Sequence, residues 1–380
     1  MTASKQTLIT GQYYPKLDCL RGYAVLGVIW FHCIVFCPDI FNNGSNTYLS
    51  GYYAIAMLGQ TGVDLFFVLS GFLITGILID TAESNNRYKS FLIRRSLRIF
   101  PLYFLYLFVF AVCLFYFLGA NADFQSLWQY VFYFQNWQIE NRSDEFKYLI
   151  HFWSLAVEEQ FYLVWPFVFW FMYARHPNKI AMMLMLLTAM SWLLRFYFVT
   201  EELYKPAVTW TFFRMDGLTL GALASVLLKN HKEYVLKHIS TLKKCAAGCT
   251  LSLIVIVLIP ETLEAVSHRV FGVGMAISTI LYFCLVLIVV LSHTSSFYIG
   301  LIWSSVIQYI GKLSYGIYVF NLPVCIIVFN VMRGQNYNIH LQHFTALFIS
   351  IIVSFTIAHI SYQFYEKKFL MLKDRFAPID

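Results

Sequence analysis

Residues 17–36, LDCLRGYAVLGVIWFHCIVF, form a stretch apolar enough to cross a bilayer, yet they hold Asp18, Arg21 and His32. An ionisable group in hydrocarbon is costly and persists where it has a partner or a task. Arg21 and His32 stand eleven positions apart. On a helix that is about 16 Å at roughly 1.5 Å per residue, near half of a hydrocarbon core of about 30 Å. One helix thus sets a cation near one face and an imidazole deep in the membrane. Histidine moves protons near neutral pH, and a carboxylate can orient one ring nitrogen while the other acts.

Further ionisable groups interrupt other apolar runs. Asp64, in GVDLFFVLSGFLITG, falls about two turns into the second span from its outer end, and it or a nearby glutamate is expected to orient His32. Glu158 and Glu159 sit in the outer half of HFWSLAVEEQFYL, and Arg214 and Asp216 in FRMDGLTLGAL, where pairing of Arg214 with Glu158 is a structural alternative to function. Arg94, Arg95 and Arg98 crowd the cytoplasmic start of FLIRRSLRIFPLY. Arg95 and Arg98 share a helix face beside an expected helix N-terminus, a geometry that suits phosphate through guanidinium forks and free backbone N–H groups. The arginines with Arg21 make a cationic inner layer. His32, Asp64, Glu158, Glu159, Arg214 and Asp216 make a mixed outer-to-middle layer, and burying so many charges for structure alone would be expensive.

These groups need helices to hold them. The chain has 380 residues, 59% hydrophobic and 12% charged, a composition that excludes a soluble globular protein. Long apolar runs without alternation select helices over a barrel, because backbone polar groups in lipid must be satisfied internally. The sequence is therefore all-α and polytopic, with about ten transmembrane helices near 17–37, 57–79, 97–118, 151–174, 180–199, 212–228, 245–260, 270–291, 313–331 and 344–365. Of the 27 Lys and Arg, only Arg142, Lys147, Lys205, Arg269 and Arg333 fall in outer segments when both termini are cytoplasmic. That asymmetry fixes the orientation in the plasma membrane and explains the net charge of +7 without nucleic acid. The organisation is a cytoplasmic tail (1–16), a transmembrane domain (17–366) and a second cytoplasmic tail (367–380).

The eight cysteines lie in or at the ends of spans and read as packing residues. Cys33 and Cys37 near His32 are too few to bind a metal, so none is expected. The basic loop 229–244 suits contact with anionic headgroups. Residues 292–312, with Trp303, suit an interfacial or re-entrant piece. Outer segments 38–56 and 119–150 carry aromatics (Trp128, Tyr130, Trp137) that suit sugar stacking or interfacial anchoring.

The blocks LDCLRGYAVLGVIWFHC, GVDLFFVLSGFLIT, RRSLRIFPLYF, FWSLAVEEQFYLVWP, FRMDGLTLGAL and GKLSYGIYVF occur in the order found in the acyltransferase-3 family of membrane O-acyltransferases, and the resemblance covers about residues 17–366. It implies transfer of an acyl group, most often acetyl from acetyl-CoA, from cytoplasmic acyl-CoA to a hydroxyl of a carbohydrate or glycolipid at the outer face, such as O-antigen in lipopolysaccharide, exopolysaccharide or peptidoglycan. It makes Arg21 and His32 the essential first-helix pair, links Arg95 and Arg98 to the CoA donor, and matches Glu158 and Glu159 to the paired glutamates of the fourth-helix motif. The sequence departs where Asn321 stands in place of a common histidine, where YEKKF replaces a Glu-x-Pro ending, and where no C-terminal hydrolase-like domain follows. This stand-alone form is expected to complete transfer itself or pass the acyl group to a partner.

In the expected mechanism the inner arginines hold CoA phosphates, and His32 removes the proton as the acceptor hydroxyl attacks. An acyl-enzyme on His32, Ser154 or a cysteine is the alternative to direct transfer. An arginine or backbone N–H would stabilise the oxyanion. The rival from another class is a secondary transporter or proton-coupled flippase, since intramembrane His, Asp, Glu and Arg also mark ion pathways.

Overall fold

The computed structural model describes residues 14–35, 55–119, 123–137, 144–200, 204–259, 269–292, 304–332 and 339–377. Ten long helices appear among them: α1 (Pro15–Val35), α2 (Gly62–Asp80), α3 (Arg87–Leu118), α4 (Trp153–Arg175), α5 (Ile180–Thr200), α6 (Thr211–Asn230), α7 (Ile239–Leu258), α8 (Met275–Leu291), α9 (Ser314–Met332) and α10 (Ile339–Ser361). Nine helical segments are long and apolar enough to cross a membrane. The remaining long helix is α4, which carries Glu158, Glu159 and Gln160 in its first half. The protein is an all-α, multi-pass membrane protein.

Two helix starts and one helix end depart from expectation, for one reason. Helix α3 begins at Arg87 rather than near 97, α7 at Ile239 rather than 245, and the last helix runs through a π-turn at Tyr362–Glu366 into Lys367–Phe376. Lys, Arg and Leu favour helix as strongly as the apolar runs do, so charge ends the membrane span without ending the helix. Arg95 and Arg98 consequently lie more than two turns inside α3. The helix N-terminus expected beside them is at Arg87, and any anion there meets guanidinium groups rather than free amides.

Helices α2 and α6 form the centre. A Cβ on Gly71 would strike the Leu218 carbonyl, and one on Gly221 would strike the Val68 carbonyl, so only glycine lets these two backbones touch. The short helix Ser305–Lys312 packs on α1 in the same way, with Gly311 against Asp18 and Gly22 against Ile307. It covers the cytoplasmic half of α1; Trp303, named in the same segment, lies outside the described residues. Pro101 interrupts α3, and the hydroxyls of Tyr315 and Tyr365 bond the nearby carbonyls of Ile99 and Pro101 at 2.7 and 3.2 Å.

The outer segment before α4 is pulled into the bundle by amides. Gln135 donates to Tyr103 Oη (3.2 Å) and the Phe152 carbonyl (2.8 Å), and Asn136 donates to the Thr209 carbonyl (3.2 Å). Gln160 on α4 closes the set by donating to the Tyr133 carbonyl at 2.7 Å and Asn136 Oδ1 at 2.9 Å. Tyr130 is buried against Phe146 and Trp137 is half-buried against Trp210, so of the three outer aromatics Trp128 is the most open to a sugar. Segment 38–54 lies outside the described residues.

Candidate active site

Two separate polar clusters occupy the bundle. The first joins α2, α5 and α6. Asp64 Oδ1 accepts from Arg214 at 2.5 Å, and Asp216 Oδ2 accepts from Arg195 at 2.9 Å, all four side chains being at most 1% exposed. Ser278 donates to the other Asp64 oxygen at 3.0 Å, and Trp192 donates to Asp216 at 2.9 Å. The Arg214 guanidinium also lies over the rings of Phe67 and Trp153 at 5.6 and 5.4 Å. Two cations meet two anions here with no space left for a ligand.

This cluster corrects two expectations. Asp64 does not orient His32, and Arg214 does not pair with Glu158. Depth alone suggested the first pairing, whereas the glycine contact between α2 and α6 turns Asp64 towards Arg214. Arg214 and Asp216, considered as substrate or oxyanion groups, are sealed in this pairing.

The second cluster surrounds a cavity of about 90 Å³ between α1, α2, α3, α4 and α9. Its walls include Arg21, Arg95, Arg98 and Glu158, together with Ser154 and Tyr318. Arg21 is paired with Asp18 at 2.6 Å. Glu158 is held by hydroxyls, Ser70 at 2.7 Å and Tyr162 at 2.8 Å. Arg95 lies over the Tyr162 ring at 4.6 Å. Among the described residues neither Arg95 nor Arg98 forms an ion pair.

The cavity has a direction. Along α4 its lining runs from Ser154 through Glu158 to Tyr162, two turns or about 12 Å. Arg95 marks the Tyr162 level, and Ser154 marks the opposite end. Ser154 Oγ lies 2.5 Å from Tyr318 Oη, and that hydroxyl donates to the His151 carbonyl at 2.6 Å. The His151 ring in turn stands edge-to-face with His32, centroids 6.0 Å apart.

Several more placements follow. Glu158 belongs with the arginines rather than with His32, because α4 begins beside His151, deep in the bundle, and Glu158 is one turn further towards the cytoplasmic end. Glu159, on another face of α4, does not line the cavity, and its Oε1 is buried without a hydrogen-bond partner. Arg94 also turns away, donating from Nε to the Ala377 carbonyl at 2.8 Å, so the arginine set at the cavity is Arg21, Arg95 and Arg98. Cys33 contacts Cys325 at 2.8 Å beside the histidine, on the packing role expected of it.

His32 takes its partner from α9. Its Nδ1 lies 2.5 Å from Asn321 Oδ1. The Asn321 amide donates its nitrogen to the carbonyls of Ile317 (3.1 Å) and Tyr318 (2.6 Å), which leaves the oxygen facing His32. That network assigns the hydrogen of neutral His32 to Nδ1 and the reactive lone pair to Nε2. Asn321, a departure from the expected family pattern, is thus the residue that sets the tautomer. An amide inside the apolar run of α9 was the sequence sign, because a buried amide must find partners. Ser70, Tyr162, Tyr318 and His151 were overlooked; hydroxyl-bearing residues carry no such sign when every helix is rich in aromatics.

The sequence as a whole is similar to those of known proteins. Residues 14–360 match the family model of the Acyl_transf_3 acyltransferase domain. The peptidoglycan O-acetyltransferase OatA of Listeria monocytogenes is 28% identical over 95% of this chain and 56% of its own length. The putative peptidoglycan O-acetyltransferase YrhL of Bacillus subtilis is 29% identical over 94% and 55%. A putative O-acetyltransferase of Staphylococcus aureus is 27% identical over 94% and 57%. The chain therefore spans a little over half the length of these curated relatives. No solved structure matches it. A domain match covering nearly all the described helices, the cavity and His32 included, means that this chain belongs to the Acyl_transf_3 family of acyltransferase domains.

Proposed function

We propose that the protein is a membrane O-acetyltransferase that moves an acetyl group from cytoplasmic acetyl-CoA to a hydroxyl of a cell-envelope carbohydrate. The observation that carries this reading is the single cavity that joins unpaired Arg95 and Arg98 at one end to the Ser154–Tyr318 hydroxyl pair, next to His151 and His32, at the other. CoA brings phosphates and a long, flexible pantetheine arm. Guanidinium groups in a low-dielectric wall favour the first, and a passage about 12 Å long suits the second.

At the far end, His32 with Nε2 unprotonated takes the proton of the acceptor hydroxyl as its oxygen attacks the thioester carbon. Asn321 holds the ring but brings no charge to it, unlike the carboxylate expected from the sequence. The Tyr318 hydrogen is held by the His151 carbonyl, so the donor left to this end of the cavity is the Ser154 hydroxyl, which would turn from Tyr318 Oη to the carbonyl oxygen as that oxygen gains charge. Peptidoglycan is the first acceptor to test, since two relatives bear it in their names; O-antigen and exopolysaccharide are the others.

The test is incorporation of ¹⁴C from labelled acetyl-CoA into peptidoglycan fragments and other envelope glycans by membranes containing the full chain, followed by mass spectrometry of the product. Labelled O-acetyl ester, labile to mild base and absent from control membranes, is the expected result. Uptake of a sugar or ion into vesicles with no label transferred would instead establish a transporter and overturn the reading.

A further inference from the structure

His151 is a buried imidazole that neither the sequence motifs nor the reaction just described uses. It sits at the end of the 3₁₀ segment Asp144–Phe152, 2% exposed, directly before α4. Its Nε2 lies 3.2 Å from the Val319 carbonyl of α9. A carbonyl only accepts, so Nε2 carries the hydrogen and Nδ1 carries the lone pair. That Nδ1 has no hydrogen-bond partner. An unsatisfied acceptor inside a membrane protein is costly unless something fills it.

Its surroundings point to the task. The ring stands 6.0 Å from His32 on one side and 5.3 Å from the Tyr318 ring on the other. Tyr318 and Ser154 line the cavity, and both hydroxyls reach the His151 carbonyl, at 2.6 and 3.4 Å. His151 therefore touches both the imidazole proposed to meet the acceptor and the hydroxyl pair at the cavity end. Acyl transfer gives such a bridge a use, because the acceptor hydroxyl loses a proton and the departing sulfur gains one.

We propose that His151 is the second proton carrier of the reaction. As the C–O bond forms and the C–S bond breaks, the acceptor proton passes to His32 Nε2, then to His151 Nδ1, and finally to the CoA sulfur, which leaves as the thiol. The Val319 carbonyl holds the ring while it carries the extra proton. The inference rests on the acetyl-transfer reading above.

His151→Gln separates carrying a proton from filling space. The glutamine amide can still donate to the Val319 carbonyl, but it has no basic nitrogen. With purified full-length protein and labelled acetyl-CoA, the expected result is turnover lowered about 100-fold or more, with the Michaelis constant for acetyl-CoA and the melting temperature in detergent unchanged. Wild-type turnover in this variant overturns the proposal. So does loss of acetyl-CoA binding together with turnover, which would make His151 a packing residue. His32→Ala is measured beside it. Full activity there would sink the acetyl-transfer mechanism itself, whereas an inactive His32→Ala with an active His151→Gln would sink the relay alone.

Discussion

The Asp64–Arg214–Asp216–Arg195 cluster and the arginine-lined cavity both hold charge among the helices, the first fully buried and the second with Arg95 half-buried and Arg98 exposed, and they balance it differently. In the first, two guanidinium groups face two carboxylates at 2.5 and 2.9 Å, and no side chain is more than 1% exposed. In the second, Arg21, Arg95 and Arg98 share the cavity wall with one carboxylate, Glu158, and that carboxylate is held by two hydroxyls rather than by a guanidinium. Charge answered by equal charge leaves nothing for a ligand to do. Charge left over beside empty space is an invitation to an anion. The contrast separates a lock that holds α2, α5 and α6 together from a cavity whose cations suit the phosphate-bearing donor proposed above.

Substitutions in the two regions should fail in different assays. The largest effect is expected at His32, where alanine removes the reactive nitrogen. Acetyl transfer should fall about 10²–10⁴-fold, with membrane insertion and melting temperature unchanged. Next comes Arg214→Ala, which strands Asp64 without its cation. Breaking one partner of a buried pair costs about 3–5 kcal/mol, so the purified protein should melt well below the wild type. Replacing Asp64 by Asn and Arg214 by Met together should recover much of that loss. Equal melting of Arg214→Ala and the wild type would show that the cluster is no lock. Third, Arg95→Ala with Arg98→Ala should weaken donor binding. Each charge-assisted contact is worth about 1.5–3 kcal/mol, so the Michaelis constant for acetyl-CoA should rise at least tenfold while melting stays near wild type. Unchanged acetyl-CoA affinity in the double variant would remove the phosphate role.

Much of this arrangement was legible in the sequence. Run lengths placed ten helices, and the expense of charge in lipid marked Arg21, His32, Arg95, Arg98 and Glu158. What sequence withheld was which helices are neighbours. Asp64 and His32 were matched by depth, but helix packing is decided by where backbones can approach. Gly71 and Gly221 bring α2 onto α6 and carry Asp64 to Arg214. Glu158 was placed in the outer layer because α4 was measured from the membrane surface. The buried amides of Gln135 and Asn136 draw the preceding segment inward, so the helix starts deeper. Asn321 was visible only as a missing histidine. Its meaning depended on two carbonyls of its own helix, one and nearly one turn back, that orient its amide.

The smallest expected effect provides the sharpest test of the cavity. Arg94 and Arg95 are adjacent in sequence, and composition or positive-inside counting treats them alike. On a helix they point about 100° apart, which sends Arg95 over Tyr162 and Arg94 to the Ala377 carbonyl beside the Lys367–Phe376 helix. If donor binding depended only on a general cationic surface, losing either charge would weaken it equally. If it depends on guanidinium groups in the cavity wall, Arg94→Ala should leave the Michaelis constant for acetyl-CoA within about twofold of wild type. Its cost should be about 1 kcal/mol of stability, from one lost hydrogen bond to the C-terminal helix. Matching defects in both would dissolve the distinction between the cavity wall and the helix surface around it.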